Sequence, residues 1–227
     1  MKKKFIIAID GPVGVGKGTL AVGLAKKFGA YYINTGAMYR ALTLLCLRKK
    51  IDIKNEEEIL RNFENSTIKL EIDNNNNQKI FLDGEDISRE IFLPEVTSTV
   101  AFISPFLSVR KEMVRRQREL LSKADRVVME GRDITTEVVP NADLKIFLTA
   151  DLDVRTKRRL RQLIKNGIGL TFEEVLTETE ERDRRDTLRR TSPLTIAEDA
   201  YVLDTTALSI EETVGKVIEK MKEKGIA

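Results

Sequence analysis

The sequence contains no histidine, and this absence excludes several kinds of catalytic site. A histidine-based catalytic triad, a zinc–histidine centre and an imidazole general base are all impossible. The single cysteine, Cys46, cannot form an internal disulfide. It lies in the apolar helical pattern 41–47, which favours a place in the core over a role as a nucleophile.

Long hydrophobic runs are also missing from the sequence. No segment approaches the roughly 20 apolar residues that a membrane helix needs. Only the five apolar residues 5–9 follow the first lysines before Asp10, too few for the apolar core of a signal peptide. The 227 residues are 41% hydrophobic and 33% charged, which is typical of a globular protein with one α/β domain and a small insertion. We therefore expect a cytoplasmic protein that does not bind a membrane.

The segment 11–19, with the sequence GPVGVGKGT, has the pattern of a phosphate-binding loop. It follows the apolar run 5–9, typical of a buried parallel strand, and apolar residues recur at helical spacing over 20–28. Glycines without Cβ let backbone N–H groups turn inward around phosphates, and the start of a helix adds further donors. Lys17 is expected to reach the β- and γ-phosphates, and Thr19 offers a hydroxyl. The predicted triphosphate contacts are Gly11, Pro12, Val13, Gly14, Val15, Gly16, Lys17, Gly18 and Thr19.

The loop departs from the common motif in one position. Gly18 follows the lysine where most such loops have Ser or Thr, so the hydroxyl is displaced to Thr19. We therefore expect Mg²⁺ to be held mainly by phosphates and water, and we predict no metal site made by protein side chains.

The middle of the chain combines α/β elements with a different, antiparallel pattern. A short strand runs into a turn and a helix over 30–40, and Thr35 is predicted to cap that helix. Residues 67–72 alternate with period two, 73–77 form a polar turn and 79–82 return as a strand. We predict a small antiparallel insertion over 66–92.

The second half of the chain is richer in arginine. A buried strand over 126–129 leads into the charged tetrapeptide 130–133, EGRD. Two helices over 154–190, joined by a glycine-containing segment, form a basic hairpin that could close over a ligand. The second helix is predicted to begin at a cap formed by Thr171 and Glu174 and to run to Arg190. On that helix Arg182, Asp186 and Arg189 share one face, with Arg185 beside them, although a solvated, salt-bridged face is the alternative interpretation. An earlier basic helix carries Arg115, Arg116 and Arg118, which we interpret as a solvated face.

Four motifs in this order resemble those of bacterial cytidylate kinases: the loop 11–19, then 34–40 (NTGAMYR), 130–133 (EGRD) and 181–186 (ERDRRD). The resemblance covers nearly the whole chain. It implies an α/β P-loop kinase fold in three layers, with a parallel central sheet, a small antiparallel insertion and a helical lid. It also implies a monomer that transfers the γ-phosphoryl group of ATP to CMP or dCMP with Mg²⁺, and that does not act on nucleic acid.

The resemblance assigns roles to residues at matching positions. Thr35, Arg40 and Arg132 resemble the residues that hold the phosphate of the acceptor nucleotide, and Tyr39 lies in the same motif. Ser98, Arg110 and Asp133 match residues that contact cytosine. Arg182 and Asp186 resemble ribose-binding positions, with Arg189 orienting the acid. Arg158 and Arg159 resemble lid residues that reach ATP. The residues implied to act on the transferring phosphoryl group are Lys17, Arg132, Arg182 and Arg185.

Two other functions remain open at this point. A P-loop kinase for another small molecule would also use Lys17 and the lid arginines, but would not need Asp133 together with Arg110. A nucleic-acid-binding NTPase is suggested by the basic helices. Aromatic residues are only 6% of the chain and the arginines alternate with acids such as Asp183, which argues against the second alternative.

Overall fold

The computed structural model describes residues 3–72, 78–165 and 167–226. The predicted hairpin tip at 73–77 and Asn166, in the predicted lid joint, lie outside the described residues. The strands are β1 (Phe5–Asp10), β2 (Tyr31–Asn34), β3 (Ile68–Ile72), β4 (Gln78–Leu82), β5 (Glu85–Asp86), β6 (Arg126–Glu130), β7 (Leu144–Thr149) and β8 (Tyr201–Asp204). The α-helices are α1 (Lys17–Phe28), α2 (Thr35–Arg48), α3 (Glu56–Glu64), α4 (Pro94–Ile103), α5 (Leu107–Leu121), α6 (Leu152–Lys165), α7 (Phe172–Leu188) and α8 (Ile210–Glu223).

The chain forms two compact units, and the first contains the residues up to Ala30 together with those from Asp125 onward. Its strands pair in the order β6-β1-β7-β8, and every pairing is parallel. Ile7, Ala8 and Ile9 in β1 have no exposed surface, as expected for a parallel strand that is covered on both faces. This parallel sheet, with its α-helices, confirms the predicted fold class.

The parallel arrangement sets where the loops of the first unit begin. Because these strands run in one direction, their carboxyl ends meet at one edge of the sheet. Ile9 near the end of β1 is in register with Glu130 at the end of β6 and with Ile146 in β7. The glycine-rich loop and the segment 131–133 therefore leave neighbouring strands side by side.

The second basic helix, α7, begins as predicted and ends earlier than predicted. The Thr171 hydroxyl accepts from the Glu174 backbone N–H, and the Glu174 carboxylate accepts from the Thr171 backbone N–H, which completes a capping box. The prediction of a helix to Arg190 was wrong by two residues. The backbone of Arg189 is extended, with φ −61° and ψ 139°, so the helix ends at Leu188.

The second unit, Tyr31–Ala124, contains the predicted antiparallel sheet. Strands β3, β4 and β5 pair in that order, with Leu70 opposite Ile80 in the antiparallel register. Leu70, Ile80 and Leu82 are each 3% exposed, so the period-two pattern in the sequence corresponds to one buried face. Among the described residues, no helix is both long enough and apolar enough to cross a membrane.

Arg116 on α5 corrects the prediction of a solvated basic face. Its guanidinium donates to the carbonyl oxygens of Ser66 at 2.9 Å and Phe63 at 2.7 Å, and it stacks 4.1 Å from the centre of the Phe63 ring. The last carbonyls of a helix have no partner within the helix, so Arg116 supplies donors for the end of α3. Arg115 and Arg118 are exposed, as predicted.

Cys46 lies in the core of the second unit, as its apolar surroundings predicted. The residue has no exposed surface. Burial raises the pKa of its thiol to about 11, and nearby Glu58 adds to the effect. The thiol is therefore protonated at neutral pH, which argues against a nucleophilic role.

Candidate active site

Two glycines of the loop 11–16, Gly11 and Gly14, are required by close packing against other backbone. A Cβ on Gly11 would lie 2.3 Å from the carbonyl oxygen of Leu148 in β7, and a Cβ on Gly14 would lie 2.8 Å from that of Arg155 in α6. Gly11, Gly14 and Gly16 all have positive φ, at 147°, 80° and 94°. Side chains at Gly11 and Gly14 would distort the loop, and Gly16 allows the left-handed turn into α1.

Lys17 is the first residue of α1 and is only 6% exposed. Its Nζ donates to the carbonyl oxygens of Gly11 and Pro12, both at 2.7 Å. Burial lowers the pKa of Lys17 well below its usual value, and the positive charges of Arg132 and Arg182 lower it further. The lysine thus belongs to a group of three cations beside the loop, a setting that an anionic ligand would stabilise.

The remaining loop residues differ in exposure. Val15 is 1% exposed and its carbonyl oxygen accepts from the Thr205 hydroxyl at 3.2 Å. Gly18 and Thr19 occupy the first turn of α1, where backbone N–H groups have no partner within the helix, and Thr19 is exposed. Within the part of the chain that the structure describes, no group of three or more acidic or cysteine side chains could hold a metal ion. The glycine cradle and the cations therefore fit a polyphosphate.

Asp10, the last residue of β1, fixes the segment that follows β6. Its carboxylate has no exposed surface and accepts from the backbone N–H of Ile134 at 3.0 Å, from that of Thr135 at 2.7 Å, and from the Thr135 hydroxyl at 2.7 Å. These bonds hold the π-helical turn Ile134–Val138 directly after Asp133. This role of Asp10 was not predicted from the sequence, although a carboxylate at the end of a buried strand was a signal for it.

Arg132 and Asp133 each meet an oppositely charged residue from the α7 region. The Nε of Arg132 donates to Oδ2 of Asp186 at 2.7 Å, and Nη2 of Arg189 lies 3.8 Å from Oδ1 of Asp133. Burial alone would raise the pKa of Asp186, but Arg132 and Arg182 outweigh it, so the pKa lies below its usual value. The structure thus brings together five of the predicted site residues: Arg132, Asp133, Arg182, Asp186 and Arg189.

Arg185 is the predicted site residue on α7 that lies apart from this cluster. Its side chain is 43% exposed, and its Nε lies 3.3 Å from a carboxylate oxygen of Glu181 on the same helix. The arrangement is that of a surface ion pair, which contributes little to stability. The predicted contact between Arg185 and a transferring phosphoryl group stays a prediction.

The two predicted lid arginines on α6 have different surroundings. Arg158 donates to the hydroxyl and the carbonyl oxygen of Thr205, at 3.0 and 2.7 Å. The Thr205 hydroxyl also donates to the Val15 carbonyl oxygen, so Thr205 links Arg158 to the phosphate-binding loop. Arg159 donates to Gln162 at 3.0 Å and lies 3.9 Å from Glu178 of α7.

An ion pair that was not predicted from the sequence contacts the loop itself. Arg155 of α6 contacts Oδ2 of Asp183 and donates to the Val13 carbonyl oxygen at 3.2 Å. The other oxygen of Asp183 accepts from the Val13 backbone N–H at 3.3 Å. The sequence showed Arg155 only as one cation in a basic helix, and Asp183 only as an acid among arginines.

The second unit contains two of the three residues predicted to hold the acceptor's phosphate, Thr35 and Arg40. Asn34, not Thr35, caps α2: its Oδ1 accepts from the Ala37 backbone N–H at 3.0 Å, and Thr35 is the first helical residue. The predicted cap was therefore wrong by one residue, because the extended backbone needed at the cap occurs at Asn34. Thr35 is 3% exposed, and the Arg40 guanidinium lies 5.7 Å from the centre of the Phe92 ring.

Tyr39 and Arg110, both predicted to serve the acceptor, lie together in the second unit. The Arg110 guanidinium is 5.6 Å from the centre of the Tyr39 ring, and its Nη1 donates to the Ser104 carbonyl oxygen at 3.0 Å. Arg110 is 3% exposed, so both contacts fix a buried guanidinium. Ser98 is different: it is exposed, and its hydroxyl donates to the Glu95 carbonyl oxygen of its own helix at 3.1 Å.

Comparisons with known proteins identify the family of this chain. The family model described as cytidylate kinase matches residues 7–223. The cytidylate kinase of Bacillus thuringiensis (strain Al Hakam) is 45% identical over 218 residues, which is 96% of both chains. The cytidylate kinase of Bacillus anthracis (strain A0248) matches to the same extent.

Solved structures support the fold independently of these sequences. The shikimate kinase of Acinetobacter baumannii, solved with shikimate, superposes with a TM-score of 0.50 at 15% identity, covering 100% of this chain and 97% of that one. A likeness at so low an identity concerns the fold alone. The family model and the Bacillus relatives decide the identity, and the chain belongs to the cytidylate kinase family.

Proposed function

We propose that this protein transfers the γ-phosphoryl group of ATP to CMP or dCMP, giving ADP and CDP or dCDP. The observation that carries the proposal is the group of three cations, Lys17, Arg132 and Arg182, beside a glycine-rich loop at the ends of parallel strands. Membership of the cytidylate kinase family selects this reaction over the phosphorylation of another small molecule and over a nucleic-acid-dependent NTPase.

The loop 11–19 binds the triphosphate of ATP in this proposal. Its glycines leave space for phosphate oxygens near the backbone N–H groups, and the start of α1 favours negative charge. Lys17 exchanges its bonds to the carbonyls of Gly11 and Pro12 for bonds to phosphate oxygens. A neighbouring anion raises the pKa of the lysine, so binding keeps the ammonium charged.

The cations contribute most at the transition state. Phosphoryl transfer spreads negative charge over the equatorial oxygens of the moving group, so catalysis consists mainly of positioning and electrostatic stabilisation. Lys17, Arg132 and Arg182 supply the positive charge, and Arg185 joins them once its pairing with Glu181 is given up. Arg158 and Arg159 act on ATP from α6. No histidine base is required, which agrees with a chain that has none.

CMP is recognised through its phosphate, its ribose and its base. Thr35, Arg40 and Arg132 hold its phosphate, Tyr39 supports Arg110, and the Arg182–Asp186 pair, oriented by Arg189, binds the ribose. Asp133 accepts from the exocyclic amino group of cytosine, while Arg110 donates to ring N3 or O2. Uracil reverses donor and acceptor at two of these positions and leaves buried polar groups unpaired, so CMP is preferred over UMP. Ser98 completes the base contacts if it gives up its bond to Glu95.

Mg²⁺ bound with ATP neutralises part of the phosphate charge during transfer. The acidic residues of the described chain do not gather into a metal centre, and the carboxylate oxygens of Asp10 already accept three hydrogen bonds. The ion is therefore held by phosphates and water. We further propose that the protein is a cytoplasmic monomer whose partners are these nucleotides, with no nucleic acid or membrane among them.

The proposal is tested by the turnover of ATP with CMP, dCMP, UMP and AMP as separate acceptors, with the products separated by chromatography. We expect CDP and dCDP to form fastest and the reaction to stop when EDTA removes Mg²⁺. The variant Lys17→Met is the control for adventitious kinases. Turnover with none of the four acceptors, or a clear preference for AMP, would reject the proposed reaction.

A further inference from the structure

The ion pair between Arg155 of α6 and Asp183 of α7 contacts the phosphate-binding loop. Val13 lies in the loop, and both of its backbone polar groups form hydrogen bonds. Its N–H donates to Asp183, and its carbonyl oxygen accepts from Arg155. Arg155 and Asp183 also contact each other. These contacts form a closed set of three residues that holds the loop against α6 and α7.

The Arg155–Asp183 ion pair can pass a movement of the loop to α7. Arg155 is 8% exposed, and its Nε donates to the Ala150 carbonyl oxygen at 2.9 Å, directly after β7. The guanidinium thus binds the end of a central strand, the loop and α7 at once. The absence of a Cβ at Gly14 lets the loop pack directly on the backbone of Arg155.

Asp183 stands next to the residues of α7 that the proposed function assigns to the acceptor. Arg182 precedes it, and Asp186, one helical turn further on, binds Arg132 at 2.7 Å. A helix moves as a rigid unit over one turn, so a shift of Asp183 shifts both neighbours. The orientation of the loop and that of the acceptor-binding residues are therefore linked through a single carboxylate.

We infer that Arg155 and Asp183 are positioning residues that couple ATP binding at the loop to CMP binding at α7. They are not catalytic residues, because they act through Val13, Arg182 and Asp186. The inference rests on the proposed function. When the backbone at Val13 rearranges around a triphosphate, its hydrogen bond to Asp183 shifts that side chain. The shift moves α7 and therefore the residues that bind CMP. By linkage, CMP has the same effect on the affinity for ATP.

The experiment measures CMP affinity by calorimetry, with and without a non-hydrolysable ATP analogue and Mg²⁺. For the unmodified protein we expect the analogue to strengthen CMP binding by about five-fold or more, the lower end of typical coupling. The coupling ratio is the CMP affinity with the analogue divided by the CMP affinity without it. In Asp183→Asn and in Arg155→Lys we expect this ratio to fall to about one while each ligand still binds alone. Asparagine keeps the size of the aspartate side chain and removes its charge. Lysine keeps the positive charge of arginine but lacks the planar guanidinium that donates to several acceptors at once.

Kinetic measurements separate positioning from a loss of folding. We expect both variants to melt within a few degrees of the unmodified protein and to lose about ten-fold or more in kcat, with smaller changes in either KM, because misplacement by about 1 Å is costly to transfer. The double variant should be no worse than either single variant, as expected for residues that act through one contact. The matched control is Glu180→Gln, which removes an exposed carboxylate one turn earlier on α7 and should retain the full ratio.

The possible outcomes decide between the two proposals. An unchanged ratio in both variants, or additive losses in the double variant, would overturn the coupling. A ratio of one in the unmodified protein would also overturn it, even if CDP is produced normally. Failure of the unmodified protein to bind CMP under any condition would instead reject the proposed function.

Discussion

Arg132 and Asp186 are joined by a hydrogen bond of 2.7 Å between Nε and Oδ2, although 54 residues separate them in the sequence. Both side chains are less than one-fifth exposed. The bond fixes one of the three cations beside the loop. It also gives α7 a defined place against the segment that follows β6, so a single ion pair organises the centre of the proposed site.

We expect Asp186→Asn to impair CMP binding more than ATP binding. Without the carboxylate, Arg132 remains largely buried but loses its hydrogen-bond acceptor and the strongest of the negative charges that stabilise it, leaving only the weaker contributions of Glu130 and Asp183. The free energy of unfolding should fall by about 1–3 kcal/mol, the cost of an unsatisfied buried group, and the KM for CMP should rise about ten-fold while that for ATP changes little. Steady-state kinetics and urea unfolding check both effects. An equal rise in both KM values would mean that the pair does not act on the acceptor specifically.

Lys17→Met should reduce turnover without reducing the stability of the fold. The buried ammonium is disfavoured by desolvation and by two neighbouring arginines, so its removal should leave the melting temperature unchanged or higher. Turnover should fall by about 10²–10³, as when one charge-stabilising donor is lost. ATP should raise the melting temperature of the unmodified protein but not that of the variant.

The matched control for this variant is Lys27→Met, which alters an exposed lysine in the last turn of the same helix. We expect normal turnover and a normal response to ATP. A large loss of stability in Lys17→Met would contradict the account, since it would mean that the lysine stabilises the empty loop.

Arg116→Ala should destabilise the second unit without altering any residue of the proposed site. The substitution removes the donors that Arg116 supplies to the Ser66 and Phe63 carbonyls and its stacking on the Phe63 ring. We expect a loss of about 2–3 kcal/mol in the free energy of unfolding. Lys111→Ala, which alters an exposed residue on the same helix, is the comparison and should change stability little. Equal effects of the two substitutions would show that the contacts with α3 contribute nothing.

The stability contributed by Glu112 should depend on pH. Hydrogen bonds from Arg115 and Arg116 lower the pKa of Glu112 to about 2, although partial burial opposes them. Because the pKa is lower in the folded state, this contribution is complete above the unfolded value of about 4.3 and is lost as the pH falls through about 2. We therefore expect Glu112→Gln to cost about 1–2 kcal/mol at pH 7 and almost nothing near pH 2. A difference that stays constant between pH 7 and pH 2 in urea unfolding would contradict this.

The features that the sequence predicted correctly depend on residues close together in the chain. The loop 11–19 follows from the spacing of glycines between a strand and a helix, and the capping box at Thr171 and Glu174 lies within four residues. Cys46 is buried because its apolar neighbours already form a helical pattern.

The features that the sequence did not predict depend on distant contacts or on the register of one residue. Arg116 is partly buried because α5 packs against the end of α3, some 50 residues earlier. Arg155 and Asp183 meet across 28 positions, and Asp10 reaches a turn more than 120 residues away. The cap of α2 is Asn34 because a single change in backbone conformation decides which of two polar neighbours takes that place.

The measurement that tests the account most directly is the ratio of kcat/KM for CMP to that for UMP, in the unmodified protein and in Asp133→Asn. The amide keeps the shape of the carboxylate but removes its negative charge and leaves one acceptor oxygen in place of two. Asp153→Asn, on an exposed residue in the first turn of α6, is the matched control. We expect a ratio of about 10² or more in the unmodified protein and the control, and a drop of at least about ten-fold in Asp133→Asn. A ratio near one in the unmodified protein, or an undiminished ratio in Asp133→Asn, would contradict the assignment of cytosine recognition to Asp133.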